Sequence, residues 1–333
     1  MSSTYATGVK ELIEDAKENP AVPIVDNLLN RGDRLLIHGY EETYKSGFAI
    51  ELARCIATSK PFLGELHVPR PLRVGIIETE MRNPGLGERL ARMFPKPEEV
   101  ANIRYLNDEG LKALRQAKDF PSRVKILDDF LTGEGCEVAI LDSSADLFTS
   151  GMSPDDEQHV QHFFDGLEKI KGVKTWIHIR HDAKPKLGGK DSNKNNLTRG
   201  SSRWKEVPET MLHLTKLGNS HQAVQIEVGK FRYGRKPKPF SMRFDQMSHT
   251  IVPANPILWL LHEKEEKEMS IEELEAEYAV RYGLKKRALE KHLHEATHYL
   301  STRTDGRKTI YSRKQGVHPD FIWRYKETEE DKA

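Results

Sequence analysis

The sequence predicts an α/β protein with a mainly parallel central sheet and antiparallel edge strands, followed by a small C-terminal unit. Three observations predict it. Apolar runs of four to six residues alternate with amphipathic helical stretches between residues 34 and 179. Helices between strands make right-handed βαβ crossovers and a sheet buried on both faces. From 211 to 245 the pattern changes to two-residue alternation, as in antiparallel strands. After "IVPANP" (251–256) it becomes helical again and ends in a polar hairpin.

The elements follow in order. Residues 6–18 pattern as a short exposed helix that Pro20 and Pro23 end. RLLIHG (34–39) is a strand and 45–58 a helix with Phe48, Ala49, Leu52, Ala53 and Ile56 on one face. RVGIIE (73–78) is a strand, 84–94 a helix, IRYL (103–106) a short strand and 111–131 one helix. EVAILD (137–142) is a strand, 155–170 a helix and TWIHI (175–179) a strand. KPKLGGKDSNKNNLTRGSS (184–202) is rich in Gly, Asn, Ser and Lys and reads as a long loop. Loops of that length carry function or are disordered. MLHLTKL (211–217), QAVQIEV (222–228) and PFSMRFD (239–245) read as antiparallel strands at the sheet edge.

Three helices at 256–266, 270–280 and 284–299 then precede a hairpin over 300–313 that turns at Asp305-Gly306. That is the order of a winged helix-turn-helix, with Gly283 in the turn between the last two helices. The division expected is an N-terminal helical segment (1–23), an ATPase-sized α/β domain (24–253) and a winged-helix domain (254–333).

Composition narrows the class. The chain has 333 residues, 37% of them hydrophobic, enough for one large core and a small second one. Charged residues reach 31%, yet the net charge is +1, so a globally basic nucleic-acid coat is excluded and a local patch is not. Cys55 and Cys136 stand far apart in apolar surroundings and read as buried thiols of a reducing compartment. The polar, acidic start is no signal peptide, and the expected location is the cytoplasm.

The stretch GYEETYKSG (39–47) is close to a phosphate-binding loop. Counted from Gly39, Lys45 and Ser46 stand where G-x-x-x-x-G-K-[ST] places them. Tyr44 replaces the second glycine, and Glu41 and Glu42 lie inside a loop meant for polyanionic phosphate. A glycine-ended turn before a surface helix has the same local pattern. The loop, however, falls on the first strand–loop–helix unit of a parallel sheet, where ligands bind beyond the strand ends. The helix after it offers free N–H groups and a positive dipole end. Gly39, Tyr44 and Gly47 then shape the loop, Lys45 reaches the β- and γ-phosphates, and Ser46 ligates Mg²⁺. Tyr44 fits there only with a right-handed backbone, because the glycine it replaces is used for its conformational freedom.

An ATP- and Mg²⁺-binding site needs three more groups. Asp142, ending EVAILD, would support Mg²⁺. Glu78 and Glu80, in RVGIIETEM, are candidates to polarise water. His181, in WIHIRHDAK beside Arg180, would sense the γ-phosphate. Each alone is also an ordinary strand-end cap; all three occur in chain order.

These segments resemble RecA-like P-loop ATPases of the RepA type, the plasmid and phage replicative helicases related to DnaB. The likeness runs from about 24 to 246 and rests on YKSGFAIELARCIATSKPFLG, IIETEM, AILDSSADLF, IHIRHDAKP, TRGSSRWKEVPETMLHL and VGKFRYGRKPKPFSMRFD. It implies a RecA-like core in which Lys45 and Ser46 bind phosphate and Mg²⁺, Glu80 (or else Glu78) activates water, Asp142 supports Mg²⁺ and His181 senses the γ-phosphate. It further implies that Lys230 and Arg232 are fingers reaching a neighbouring subunit's site. Such fingers stabilise charge on the γ-phosphoryl group and require a homo-oligomer, a hexamer being favoured. A solvated basic hairpin is the alternative for these two residues.

Two basic groups point to DNA. Lys184, Lys186, Lys190, Lys194 and Arg199 lie in the long loop, a composition suited to a single-strand backbone or equally to a solvated loop. Lys285, Lys286 and Arg287 start the third C-terminal helix, and Arg307 and Lys308 lie on the hairpin. Basic residues there suit duplex DNA, although winged helices also dock proteins. Two functions remain open: an ATP-driven replicative helicase of a plasmid or virus, or an ATP-responsive DNA-binding regulator that does not unwind.

Overall fold

The computed structural model describes residues 7–63, 66–81, 83–182, 201–216, 223–232, 240–244, 251–253, 256–263, 268–282, 286–297, 300–306 and 308–313. Helix α1 (Val9–Glu18) comes first and buries none of its side chains. A hairpin of β1 (Pro23–Val25) and β2 (Leu29–Asn30) follows, without a counterpart in the sequence reading. Strands and helices then alternate: β3 (Arg34–Gly39), α2 (Lys45–Thr58), β4 (Val74–Glu78), α3 (Asn83–Met93), β5 (Ile103–Tyr105), α4 (Asp108–Gln116), α5 (Phe120–Gly133), β6 (Val138–Asp142), α6 (Glu157–Glu168) and β7 (Thr175–His181). A single turn, α7 (Arg203–Glu206), leads to β8 (Thr210–Lys216), β9 (Ala223–Phe231), β10 (Phe240–Phe244) and β11 (Ile251–Pro253).

Nine of these strands make one sheet in the order β11-β10-β9-β8-β3-β7-β6-β4-β5. The six from β8 to β5 are parallel, and β9, β10 and β11 extend the sheet antiparallel. The expected fold class, a mainly parallel sheet with antiparallel edge strands, is therefore present. One strand departs from its reading. β8 pairs parallel with β3 and antiparallel only with β9, so it is where the sheet changes direction. Alternation reports which face is wetter; it carries no information on the direction of the partner.

The parallel strands read as continuous apolar runs because helices cover both their faces. Successive side chains point to opposite sides of the sheet. Leu35, Ile37, Ile76, Ile140, Ile177 and Ile179 face α2 and its Phe48, Leu52 and Ile56. Leu36, Ile77, Leu141 and Trp176 face the other way, toward Leu127, Leu131, Phe163, Phe164 and Trp204. The one helix expected over 111–131 is two. The Asp119 carboxylate accepts the Ser122 N–H at 2.8 Å and starts α5, with Pro121 in its first turn. Proline has no N–H to continue a preceding helix and is well placed at the start of a new one.

Beyond β11 the chain forms α8 (Pro256–Glu263), β12 (Glu268–Ser270), α9 (Ile271–Tyr282), α10 (Lys286–Ala296), β13 (Leu300–Asp305) and β14 (Lys308–Arg313). β12, a strand the sequence did not signal, pairs with β14 and completes an antiparallel sheet in the order β12-β14-β13. Ile257, Leu261, Leu274, Tyr278, Leu289 and Leu293 form its separate core. The Ser270 hydroxyl caps α9 by accepting the Glu273 N–H at 3.2 Å, and Glu273 returns the contact by accepting the Ser270 N–H at 2.7 Å. Gly306 turns the hairpin with φ of +60°.

Both cysteines are buried free thiols. Burial pushes Cys55 up to about 12 and Cys136 up to about 11, which leaves them unreactive. Among the described residues no helix is long and apolar enough to cross a membrane.

Phe163 is the centre of the second core. Its ring lies 4.9 Å from Phe148 and 5.5 Å from Phe120, Phe164 and Trp204. Phe163→Ala is expected to lower the free energy of unfolding by about 3–5 kcal/mol, read from the urea midpoint.

Candidate nucleotide-binding site

The loop between β3 and α2 lies at the carboxyl end of the parallel strands, the end where the tips of β4, β6 and β7 also converge. Gly39 is needed there for space. A Cβ built on it would stand 2.2 Å from the Leu214 carbonyl oxygen of β8 and 2.9 Å from Thr43 Oγ1. No side chain fits between strands that close.

Tyr44 overturns the expectation of a right-handed backbone. It is left-handed, with φ of +60° and ψ of +25°, the conformation for which a glycine is normally used. For a residue with a Cβ this costs about 1–2 kcal/mol. Glu42 is left-handed as well, with φ of +60°. A left-handed residue followed by the right-handed start of a helix turns successive N–H groups into one concavity, a shape that receives anions. The Tyr44 ring packs at the margin of the core under α2, and its burial pushes the phenol above its ordinary value. Glu41 and Glu42 are exposed. The Glu42 carboxylate accepts from Lys216 Nζ at 2.8 Å, which draws its charge toward β8.

Lys45 is 5% exposed. Its Nζ donates to the Tyr40 carbonyl at 2.6 Å and to Thr43 Oγ1 at 3.4 Å, so the ammonium fills the mouth of the loop on the loop's own oxygens. Burial pulls its pKa down, and the nearby charges of Asp142, Asp182, Glu80 and Glu41 oppose that pull. The Ser46 side chain hydrogen-bonds the buried Asp142 carboxylate. Hydroxyl and carboxylate oxygens are hard donors that suit Mg²⁺. Gly47 is buried in the first turn of α2.

Glu78 stands opposite Asp142 in the β4–β6 register. Burial, then the charge of Asp142, raises its pKa to about 7, although its Oε1 accepts the N–H groups of Glu80 at 2.9 Å and Met81 at 3.2 Å. Glu80 is half-buried and bonded to His181 Nε2 at 3.2 Å. That bond holds the Glu80 carboxyl below its ordinary value, so it is ionised at neutral pH. The site therefore has one buried carboxyl that readily takes a proton and one half-exposed carboxylate that does not. Thr79 fixes the strand tips: its Oγ1 donates to Asp146 Oδ2 at 2.6 Å and accepts the Ser143 N–H at 3.1 Å.

Gly39, Tyr44, Lys45, Ser46, Gly47, Glu78, Glu80, Asp142 and His181 are thus gathered around one loop. Lys230 and Arg232 are not among them. Lys230 Nζ donates to the carbonyls of Lys205 at 2.9 Å and Glu206 at 2.5 Å, and Arg232 Nη2 to Glu206 at 2.8 Å. They lie beside Thr210, at the end of the sheet where the parallel strands begin. Lys286 and Arg287 are exposed at the start of α10, and Lys308 is exposed at the start of β14. Lys184, Lys186, Lys190, Lys194, Arg199, Lys285 and Arg307 lie outside the described residues. The sequence did not single out His38, Asp182 and His213, which come together on three adjacent strands. Only the register of those strands reveals them, and no local pattern encodes it.

Two outcomes are expected. Tyr44 already holds the glycine conformation, so Tyr44→Gly should leave ATP affinity within about threefold, whereas Tyr44→Val, which resists a left-handed backbone, should lower it about tenfold, by titration calorimetry. The second concerns pH. The folded state holds the Glu78 proton more tightly than the unfolded chain does, so stability falls as pH rises from about 4.5 to about 7. Glu78→Gln removes that loss: the variant should match the parent at pH 5 and exceed it at pH 8 in urea denaturation.

Residues 9–186, more than half of the chain, match a family described as an AAA domain. Among solved structures, the chain is similar to a KaiC-like protein of the hyperthermophilic archaeon Pyrococcus horikoshii OT3 at 15% identity, over 70% of this chain and 96% of that one, with a TM-score of 0.46. No curated protein matches. The family match takes in the whole of the loop, both strand-end carboxylate positions and His181, and by it the chain belongs to the AAA domain family of P-loop, nucleotide-binding ATPases.

Proposed function

We propose that the chain is an ATP-driven motor on DNA, a replicative helicase of a plasmid or virus that works as a ring, with a hexamer favoured. The observation that carries this reading is the separation of two sets of residues. The phosphate loop and its carboxylates sit at one end of β3; Lys230 stands level with Leu36, three residues or about 10 Å back from Gly39, and Arg232 lies further back, beyond the Phe231–Thr210–Leu35 level. Side chains placed there do not reach their own nucleotide. They suit a neighbour's, which is what an arginine finger supplied in trans requires.

In this reading Lys45 leaves the Tyr40 carbonyl for the β- and γ-phosphates of ATP. Ser46 and Asp142, hydrogen-bonded to each other, would hold Mg²⁺, which would screen the phosphate charge when bound. Glu80, ionised and solvent-facing, orients the attacking water and draws on its proton. His181, bonded to Glu80, links that water to the γ-phosphate end of the site. Glu78 stays behind as a buried neighbour of Asp142. The element order α8-β12-α9-α10-β13-β14 supports a winged helix, and exposed Lys286 and Arg287 at the start of its third helix suit a DNA groove. The basic stretch 184–202 suits a single-strand backbone in the ring channel.

A second reading, an ATP-responsive DNA-binding regulator, has one observation in its favour. Lys45 is bound to the loop's own carbonyl and must be released before phosphate is gripped, which suits slow turnover.

Lys45→Ala and Arg232→Ala should each lower DNA-stimulated ATP hydrolysis by about 100-fold or more. Mixing the two variants should restore part of the activity, because one subunit keeps the loop and its neighbour keeps the finger. Full activity in a purified monomer would overturn the ring. Normal hydrolysis without strand displacement on a forked substrate would select the regulator.

A further inference from the structure

On the sheet face opposite α2, directly behind the phosphate loop, three buried side chains converge. His38 lies on β3, His213 on β8 beside it, and Asp182 immediately follows β7. His38 Nδ1 is 2.9 Å from Asp182 Oδ1, and His213 Nε2 is 3.0 Å from Asp182 Oδ2. The two imidazoles stack with centroids 4.6 Å apart and planes 12° from parallel, both aimed at the one carboxylate. His213 Nε2 and Asp182 Oδ2 are buried, and neither makes an aligned hydrogen bond.

We propose that His38, Asp182 and His213 form a binding site for a borderline divalent metal ion, Zn²⁺ or one of similar preference. One ligand atom from each residue lies within 4.8 Å of the other two. Two imidazole nitrogens and one carboxylate oxygen select a transition metal over Mg²⁺, which takes oxygen donors. Metal–ligand distances of about 2.0–2.2 Å put neighbouring tetrahedral donors about 3.4 Å apart, so the histidine–carboxylate contacts of 2.9 and 3.0 Å would lengthen by about half an ångström, while donors now separated by up to 4.8 Å would draw in toward one ion. A water would complete the four ligands. Strands, not loops, carry the two histidines, so the donors are held without the ion. The ion would tie β3, β7 and β8 together at Gly39, whose carbonyl already accepts the Asp182 N–H at 3.0 Å. It would brace the nucleotide loop from behind.

The test uses the full chain, stripped with a chelator and titrated with Co²⁺. One equivalent is expected to bind with a Kd of about 10 µM or tighter, to give the visible absorption of a four-coordinate ion, and to be displaced by Zn²⁺. His38→Gln and His213→Gln should each weaken binding by about 100-fold, while His181→Gln, at the nucleotide loop, should not. X-ray absorption of the Zn²⁺-loaded parent, which depends on no variant, should show two imidazoles bound. An absence of Co²⁺ binding, a band that survives loss of both histidines, or fewer than two imidazoles on zinc would each overturn the site and leave a hydrogen-bonded His–Asp–His cluster.

Discussion

The candidate site depends on how tightly β3 is held between β7 and β8. It pairs parallel with both, and at Gly39 the backbones of β3 and β8 approach so closely that only a glycine fits. Parallel pairing aligns carboxyl ends. Once β3 is fixed in the middle of the sheet, the tips of β4, β6 and β7 must arrive at the same edge as the start of α2. Glu78, Asp142 and His181 meet the phosphate loop for that reason, although 103 positions of sequence separate Glu78 from His181. Burial of both sheet faces supplies the energy for this placement, about 25 cal/mol for each square ångström of apolar surface removed from water.

The electrostatics of the edge follow from the same burial. Glu78 and Asp142 are buried carboxyls side by side, and burial drives both upward. Lys45 is the buried cation set among them, and burial drives it down. In each of these groups burial disfavours the charged form. In the proposed reading a nucleotide with its divalent ion would favour the charged forms: the ion would neutralise the carboxylates and the phosphates would take the ammonium. Glu80 differs because the bond to His181 holds its carboxyl below the ordinary value.

The AAA domain assignment covers 9–186 and stops before β8. The antiparallel strands, the Lys230 and Arg232 pair, and the separate core of α8 through β14 lie beyond it. In the proposed reading, Lys230 and Arg232, set back along the sheet from the phosphate loop, serve a neighbouring subunit and not the site in their own chain.

Composition and periodicity determined the alternation of strands and helices, the two-sided burial of the sheet, the loop with Lys45 and Ser46, and the acids and histidine at strand ends. These are local properties: an apolar run, a 3.6-residue period, a residue type at a fixed offset. The capped break between α4 and α5 was also local, written in Asp119 and Pro121, but hidden by an uninterrupted helical period. Tertiary structure alone decided the direction of β8, the pairing of β12 with β14, the left-handed backbone of Tyr44 and the meeting of His38, Asp182 and His213. Apart from the loop conformation of Tyr44, these depend on which strands lie side by side and in what register. Hydrogen bonds between distant backbones set that register, and each strand's own sequence is compatible with several.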